Sequence, residues 1–122
     1  MTLDALSTAC AMRDALKAGE ISAPELVELH ADRIERFNPA LNAIVIESVA
    51  QARQEAGSAD PASPLAGLPV TIKDIFDVGG LITTAGSQLL ANNLAREDSW
   101  ATQRLAQAGM IVLGKTITVE FA

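Results

Sequence analysis

Two short apolar runs, Leu68–Ile72 and Met110–Leu113, constrain the fold of this chain more than any other feature. Neither alternates with polar residues, so a strand made from either is apolar on both faces, as in a sheet buried between layers. Each run follows a stretch with helical character. Helix followed by buried strand predicts an α/β fold with a mixed, mostly parallel sheet covered by helices. Aromatic residues make up 3% of the chain, so the core must come from Ala, Leu, Ile and Val. The 122 residues suffice for one domain, read here as a helical portion, 1–40, and a strand and helix portion, 41–122.

The helical portion has clear punctuation. Leu6, Cys10 and Leu16 have rough helical spacing over 4–18, and Gly19 stands where a C-terminal cap belongs. Cys10 reads as a small buried apolar residue of this helix. Ser22, Pro24 and Glu25 form a start signal with a capping box for a second helix. That helix presents Leu26, Val27, His30, Ile34 and Phe37 on its apolar face, and Asn38 and Pro39 end it. His30, the single histidine, has no second ligand or nucleophile in its pattern and reads as a boundary residue.

Ala43–Ile46 reads as a strand, Ser48–Ala56 as a helix closed by Gly57, and 57–64 as a Pro- and Ser-rich surface loop. Gly79 and Gly80 force a turn after the first apolar run. Asp98 or Ser99 caps a helix to about Gln107, and Gly109 stops it. The run Met110–Leu113 then ends at Gly114, Lys115 and Thr116, and Ile117–Phe121 reads as a further β-prone stretch.

Several functions are excluded by composition. Nine basic against fifteen acidic residues give a net charge of −6, with no basic cluster, so no direct nucleic-acid ligand is expected. No apolar run approaches membrane-spanning length and the start lacks a signal-peptide pattern, so no membrane association is expected. One cysteine fits a reducing compartment, and the chain is expected in the cytoplasm. Nothing points to a metal or other cofactor.

Two lysines compete for a functional reading. Gly109–Thr116 has the letters of a phosphate-binding loop, glycine followed by four residues and then Gly-Lys-Thr. The chemistry needs strand, anion-cradling loop and helix in that order. Here a helix comes first, the four central residues are apolar strand formers and Ile117, Thr118 and Val119 follow, so the match is one of letters and Lys115 reads as a polar residue leaving a strand. Lys73 stands at the end of the first apolar run, before Asp74 and a Gly- and Thr-rich stretch. It can be a solvated strand end, a salt-bridge partner of Asp74 or Asp77, or a base made neutral by burial.

The ordered set formed by Arg33-Ile34-Glu35 to Asn38-Pro39, Leu41-Asn42-Ala43, Pro64–Asp74 (PLAGLPVTIKD), Thr83–Ser87 (TTAGS), Ala108-Gly109, Val112–Thr116 (VLGKT) and Glu120-Phe121-Ala122 resembles the amidase signature hydrolases over essentially the whole chain. The resemblance implies the N-terminal part of an α/β/α fold, incomplete in this chain. It further implies hydrolysis of a small-molecule amide to acid plus ammonia or amine by a serine, a second serine in a cis peptide, and a lysine. Lys73 matches that lysine, the general base. Asp74, Thr84, Gly86 and Ser87 match positions that orient it and shape the site floor, while Glu120 reads as structural.

The chain departs from the family in one large respect. The segment carrying both serines follows the Glu-Phe-Ala phrase in the family, and none of Ser7, Ser22, Ser48, Ser58, Ser63, Ser87 or Ser99 sits in such a motif, so no activity is expected of this chain alone. Ile117, Thr118 and Val119 also differ from the phrase usual in A subunits of tRNA-dependent amidotransferases, which favours a general amidase over that subunit. A catalytically inactive module binding another protein through an open sheet edge is the alternative from a different class, and a homo-oligomer is compatible with the apolar excess.

Overall fold

The computed structural model describes residues 3–122. Helix α1 (Ala9–Ala18) starts at Thr8, whose hydroxyl accepts from the Ala11 amide, and ends at Gly19 in the left-handed region. Its buried side chains are Met12 and Ala15, three residues apart. Cys10, expected to be buried, is exposed, because it lies roughly half a turn away from Met12 around the helix.

Helix α2 (Ala23–Leu41) begins with the predicted capping box. The Ser22 amide and hydroxyl both donate to Glu25, at 2.8 and 2.6 Å. These bonds hold the Glu25 carboxyl below the usual carboxylate range. Leu26, Val27 and Ala31 are the buried residues of α2; Phe37, placed on the apolar face by spacing, is exposed. His30 is half-buried, with Nδ1 2.9 Å from the Leu26 carbonyl. The helix does not stop at Asn38 and Pro39. Proline lacks one N–H but keeps a helical φ, and the turn closes instead at Asn42, in the left-handed region, whose amide donates to the Asn38 carbonyl at 2.7 Å. Asn38 also receives the next element, since its side chain both accepts from the Ile44 amide and donates to the Ile44 carbonyl, each at 2.9 Å.

Strands β1 (Ile44–Glu47), β2 (Pro69–Lys73) and β3 (Ile111–Thr116) form one sheet in the order β1-β3-β2. The sheet is mixed: β3 runs parallel to β2 and antiparallel to β1. Helix α3 (Val49–Ala56) lies between β1 and β2 in sequence, and Arg53 on it is paired with Glu28 of α2 through two bonds of 2.6 and 2.9 Å. One core cluster joins Val27, Ala52 and Ala56 to Ile111 and Leu113; a second joins Met12, Leu26 and Leu68. Helix α4 (Trp100–Gln107) starts at Ser99, and buried Thr102 ties it to the turn after β2 by donating to the Asp77 carbonyl at 2.8 Å.

Two details of β3 differ from expectation. The strand runs through Gly114, Lys115 and Thr116, whereas the sequence reading ended it at Leu113. Beyond it, Ile117–Phe121 forms no strand. After Ile117 donates to the Ala43 carbonyl, the chain turns off the sheet, and the Phe121 amide donates to the Ala85 carbonyl at 2.8 Å. Among the described residues no helix is long and apolar enough to cross a membrane.

Leu26→Ala is expected to destabilise the fold by about 3 kcal/mol, because it empties a fully buried site. Leu89→Ala, at an 85% exposed position, should change stability by less than about 0.5 kcal/mol; denaturant unfolding of both variants checks the contrast. Ser22→Ala should lower the melting temperature at neutral pH. Because Glu25 has a depressed folded value, its contribution is present above the ordinary carboxylate range and lost as pH falls through the folded value. The deficit in a thermal melt should therefore narrow on acidification.

Candidate functional site

The site is built where β2 ends. A bulge decides which side chains meet there. Val70 pairs with Val112, but the next residue of β2, Thr71, pairs with Gly114, so Leu113 is skipped. This reverses the alternation of β3 and sets Lys115 opposite Ile72, on the face that also takes Asp74, two residues further on and just past the end of β2. Glycine at 114 permits the crossing: a Cβ there would lie 2.5 Å from the Ile46 carbonyl oxygen.

Lys115 is therefore not a polar residue leaving a strand. It is fully buried, and its Nζ donates to Asp74 Oδ1 at 2.9 Å, Thr83 Oγ1 at 2.9 Å and the Ile82 carbonyl at 3.2 Å. An ammonium has three donors, and all three are used. The phosphate-loop reading fails on the same observations, since Lys115 lies inside a strand with its amine turned away from solvent.

Asp74 is the centre of the arrangement. Its side chain, 1% exposed, accepts from Lys115, from the Thr84 amide at 3.2 and 3.3 Å, and from the Thr84 hydroxyl. Its backbone amide donates to the Thr116 carbonyl and its carbonyl accepts from the Ala85 amide, each at 2.9 Å. One residue thus fastens the end of β2 to β3 and to the 83–87 loop. The loop is also held from the other side. Gly86, at φ 69°, approaches the chain beyond β3 so closely that a Cβ would lie 2.9 Å from the Thr118 carbonyl oxygen. Buried Ser87 donates to Glu120 Oε1 at 2.7 Å and caps the short 3-10 turn Gln88–Leu90.

Lys73 points the other way. It is exposed, and among the described residues no carboxylate lies within 4.0 Å of its amine. Of the three readings open from sequence, salt bridges to Asp74 and Asp77 are absent among these residues, and the burial that would favour a neutral amine is not supplied by them. Clefts of about 500, 330 and 770 Å³ border other parts of the molecule, without Lys73 in their walls.

The structure thus brings Asp74, Thr84, Gly86 and Ser87 together in one hydrogen-bonded loop beside Lys73. Lys115 and Thr83 were missed as members of this network, while Glu120, read as structural, holds Ser87. A glycine inside an apolar strand pattern is the sequence signal for a bulge, and it was available at Gly114.

Comparison with known proteins matches residues 25–122 to the amidase family. The A subunit of the glutamyl-tRNA(Gln) amidotransferase of Halorhodospira halophila is 44% identical over 88% of this chain and 24% of its own length. Among solved structures, 6-aminohexanoate cyclic dimer hydrolase superposes with a TM-score of 0.89 at 32% identity, over 98% of this chain and 25% of that one. Peptide amidase from Stenotrophomonas maltophilia superposes with a TM-score of 0.85 at 30% identity, over 97% and 26%. The chain spans about a quarter of the length of the relatives it matches. On the family match, the superpositions and the ordered motifs around Lys73, the chain belongs to the amidase signature family.

Proposed function

We propose that this chain forms part of a single amidase domain and contributes the general base, Lys73, to hydrolysis of a small-molecule amide. The observation that carries the reading is the placement of Lys73. A lysine free of any carboxylate among the described residues stands at the carboxyl end of a strand, beside a loop pinned by Asp74, in a chain superposing on amide hydrolases.

In this reading the nucleophilic serine and the bridging serine come from sequence beyond these residues. The bridging serine passes its proton to the neutral amine of Lys73 and takes the proton of the nucleophile, whose oxygen attacks the amide carbon. The proton then returns from Lys73 to the leaving nitrogen as the C–N bond breaks, and water releases the acid from the acyl-serine. Backbone amides near the nucleophile hold the oxyanion. The serine-bearing part also covers Lys73, supplying the burial that these residues lack. No cofactor takes part, the enzyme works in the cytoplasm, and self-association is compatible with the exposed apolar side chains Ile117, Val119 and Phe121.

The 44% identity to an amidotransferase A subunit supports a second reading, in which the same base serves that assembly. Ile117, Thr118 and Val119 favour the general hydrolase. Exchange of this chain for the matching part of the Halorhodospira subunit separates the two: support of glutamyl-tRNA(Gln) amidation favours the second reading.

The general test is the same exchange into 6-aminohexanoate cyclic dimer hydrolase. The chimera should hydrolyse the cyclic dimer, this chain alone should not, and Lys73→Met in the chimera should lower kcat by about 10²- to 10⁴-fold. A Lys73→Met chimera within about threefold of its parent would sink the assignment of the base.

A further inference from the structure

The chain has three lysines, Lys17, Lys73 and Lys115, in three different environments. Lys17 is exposed in the last turn of α1. Lys73 is exposed at the end of β2 with no carboxylate near its amine among the described residues. Lys115 is completely enclosed, with an aspartate adjacent to Lys73 in sequence as its ion-pair partner. That pairing is the unexplained feature. An anion close to an amine favours the ammonium, so the direction in which the Asp74 carboxylate is held bears on the protonation of its neighbour.

We propose that Lys115 is a positioning residue for Lys73: by holding the Asp74 carboxylate in the interior, its ammonium leaves the amine of Lys73 at the strand end without an anionic partner. The inference rests on the reading of Lys73 as the base. Geometry does the sorting. The bulge at Gly114 puts Lys115 on the face of Ile72 and Asp74, while alternation along β2 turns Lys73 to the opposite face. The carboxylate is fully occupied by Lys115 and Thr84, so it has no free oxygen to offer Lys73.

Charge sorting adds to direction. Asp74 and Lys115 together present a neutral pair to Lys73, whereas either alone presents a full charge, screened by solvent only on the side where Lys73 emerges. The other titratable groups around the end of β2 are Asp77 in the following turn, Arg96, Glu97 and Asp98 in the stretch before α4, Glu47 at the end of β1, and Glu120 beyond β3. Asp98 is bonded to the Gly79 amide at 2.7 Å and Glu120 to Ser87; Glu47 lies across β3, opposite Gly114. None of them pairs with Lys73.

Competitive acetylation of the 122-residue chain by acetic anhydride at a series of pH values, read by peptide mass spectrometry, tests this directly, with Lys17 as internal reference. In the unsubstituted chain Lys115 should stay unlabelled. Lys115→Met, which leaves the Asp74 anion alone, should move the half-labelling pH of Lys73 upward relative to Lys17, by a few tenths of a unit to about one unit. Asp74→Asn, which leaves the Lys115 cation alone, should move it downward. The double variant should return it to its original position. A merely structural role would leave the Lys73 profile fixed in all variants that stay folded by circular dichroism, and that result overturns the proposal. If Lys115→Met does not fold, Asp74→Asn and the double variant carry the test. Labelling of Lys115 at the rate of Lys17 in the unsubstituted chain overturns it without any variant. Failure here leaves the base reading standing, while an active Lys73→Met chimera removes that reading without changing the labelling result.

Discussion

The buried ion pair between Lys115 and Asp74 is the interaction on which the rest of the site depends. Two opposite charges, 0% and 1% exposed, meet at 2.9 Å. Removing them from water costs several kcal/mol each, on the order that only close contact and complete hydrogen bonding offset. Both conditions hold: the ammonium has three acceptors, and the carboxylate has Thr84 as well as Lys115. No buried side-chain polar atom among the described residues lacks a partner. Such a pair contributes little net stability compared with apolar replacements, but loss of one partner alone costs about 3–5 kcal/mol. Its effect is to allow one arrangement of β2, β3 and the 83–87 loop and to penalise others.

From that pair the geometry extends in two directions. Through Thr84 and Ala85 it fixes the loop that also grips the chain beyond β3, by way of Gly86, Ser87 and Glu120. Through the strand it fixes the orientation of Lys73, whose side chain must leave on the face opposite Asp74. The helices contribute at a distance: α2 and α3 cover one face of β3 through Val27, Ala52 and Ala56, and α4 anchors the turn after β2 through Thr102. A lysine at a strand end, a loop beside it and a buried salt bridge behind both form one mechanical unit.

Much of the fold was legible because its signals are local. The capping box at Ser22 and Glu25, the glycine cap at Gly19 and the two apolar runs each act within a few residues. The α/β class followed from the lack of alternation in Leu68–Ile72 and Met110–Leu113. Less legible were features decided by contacts distant in sequence. Pro39 was read as a stop, but Asn38 and Asn42 complete the turn around it. Ile117–Phe121 has strand-forming residues, yet the bonds to the 83–87 loop pull it off the sheet. Lys115 was the largest miss in the site, because burial of a lysine depends on a bulge and on an aspartate 41 positions away. The motif around Lys73 was legible as an ordered set of residues, whereas its exposure here depends on which other surfaces reach it.

Nitrogen-15 NMR of the lysine side chains in the 122-residue chain addresses the buried pair most directly. An enclosed ammonium with three acceptors should give one lysine signal that persists at neutral pH, with hydrogen exchange far slower than at the two exposed lysines, and a contact to the Thr83–Thr84 loop. Three lysine amines exchanging alike, at the rate of solvated amines, would contradict the account and remove the foundation of the site as described.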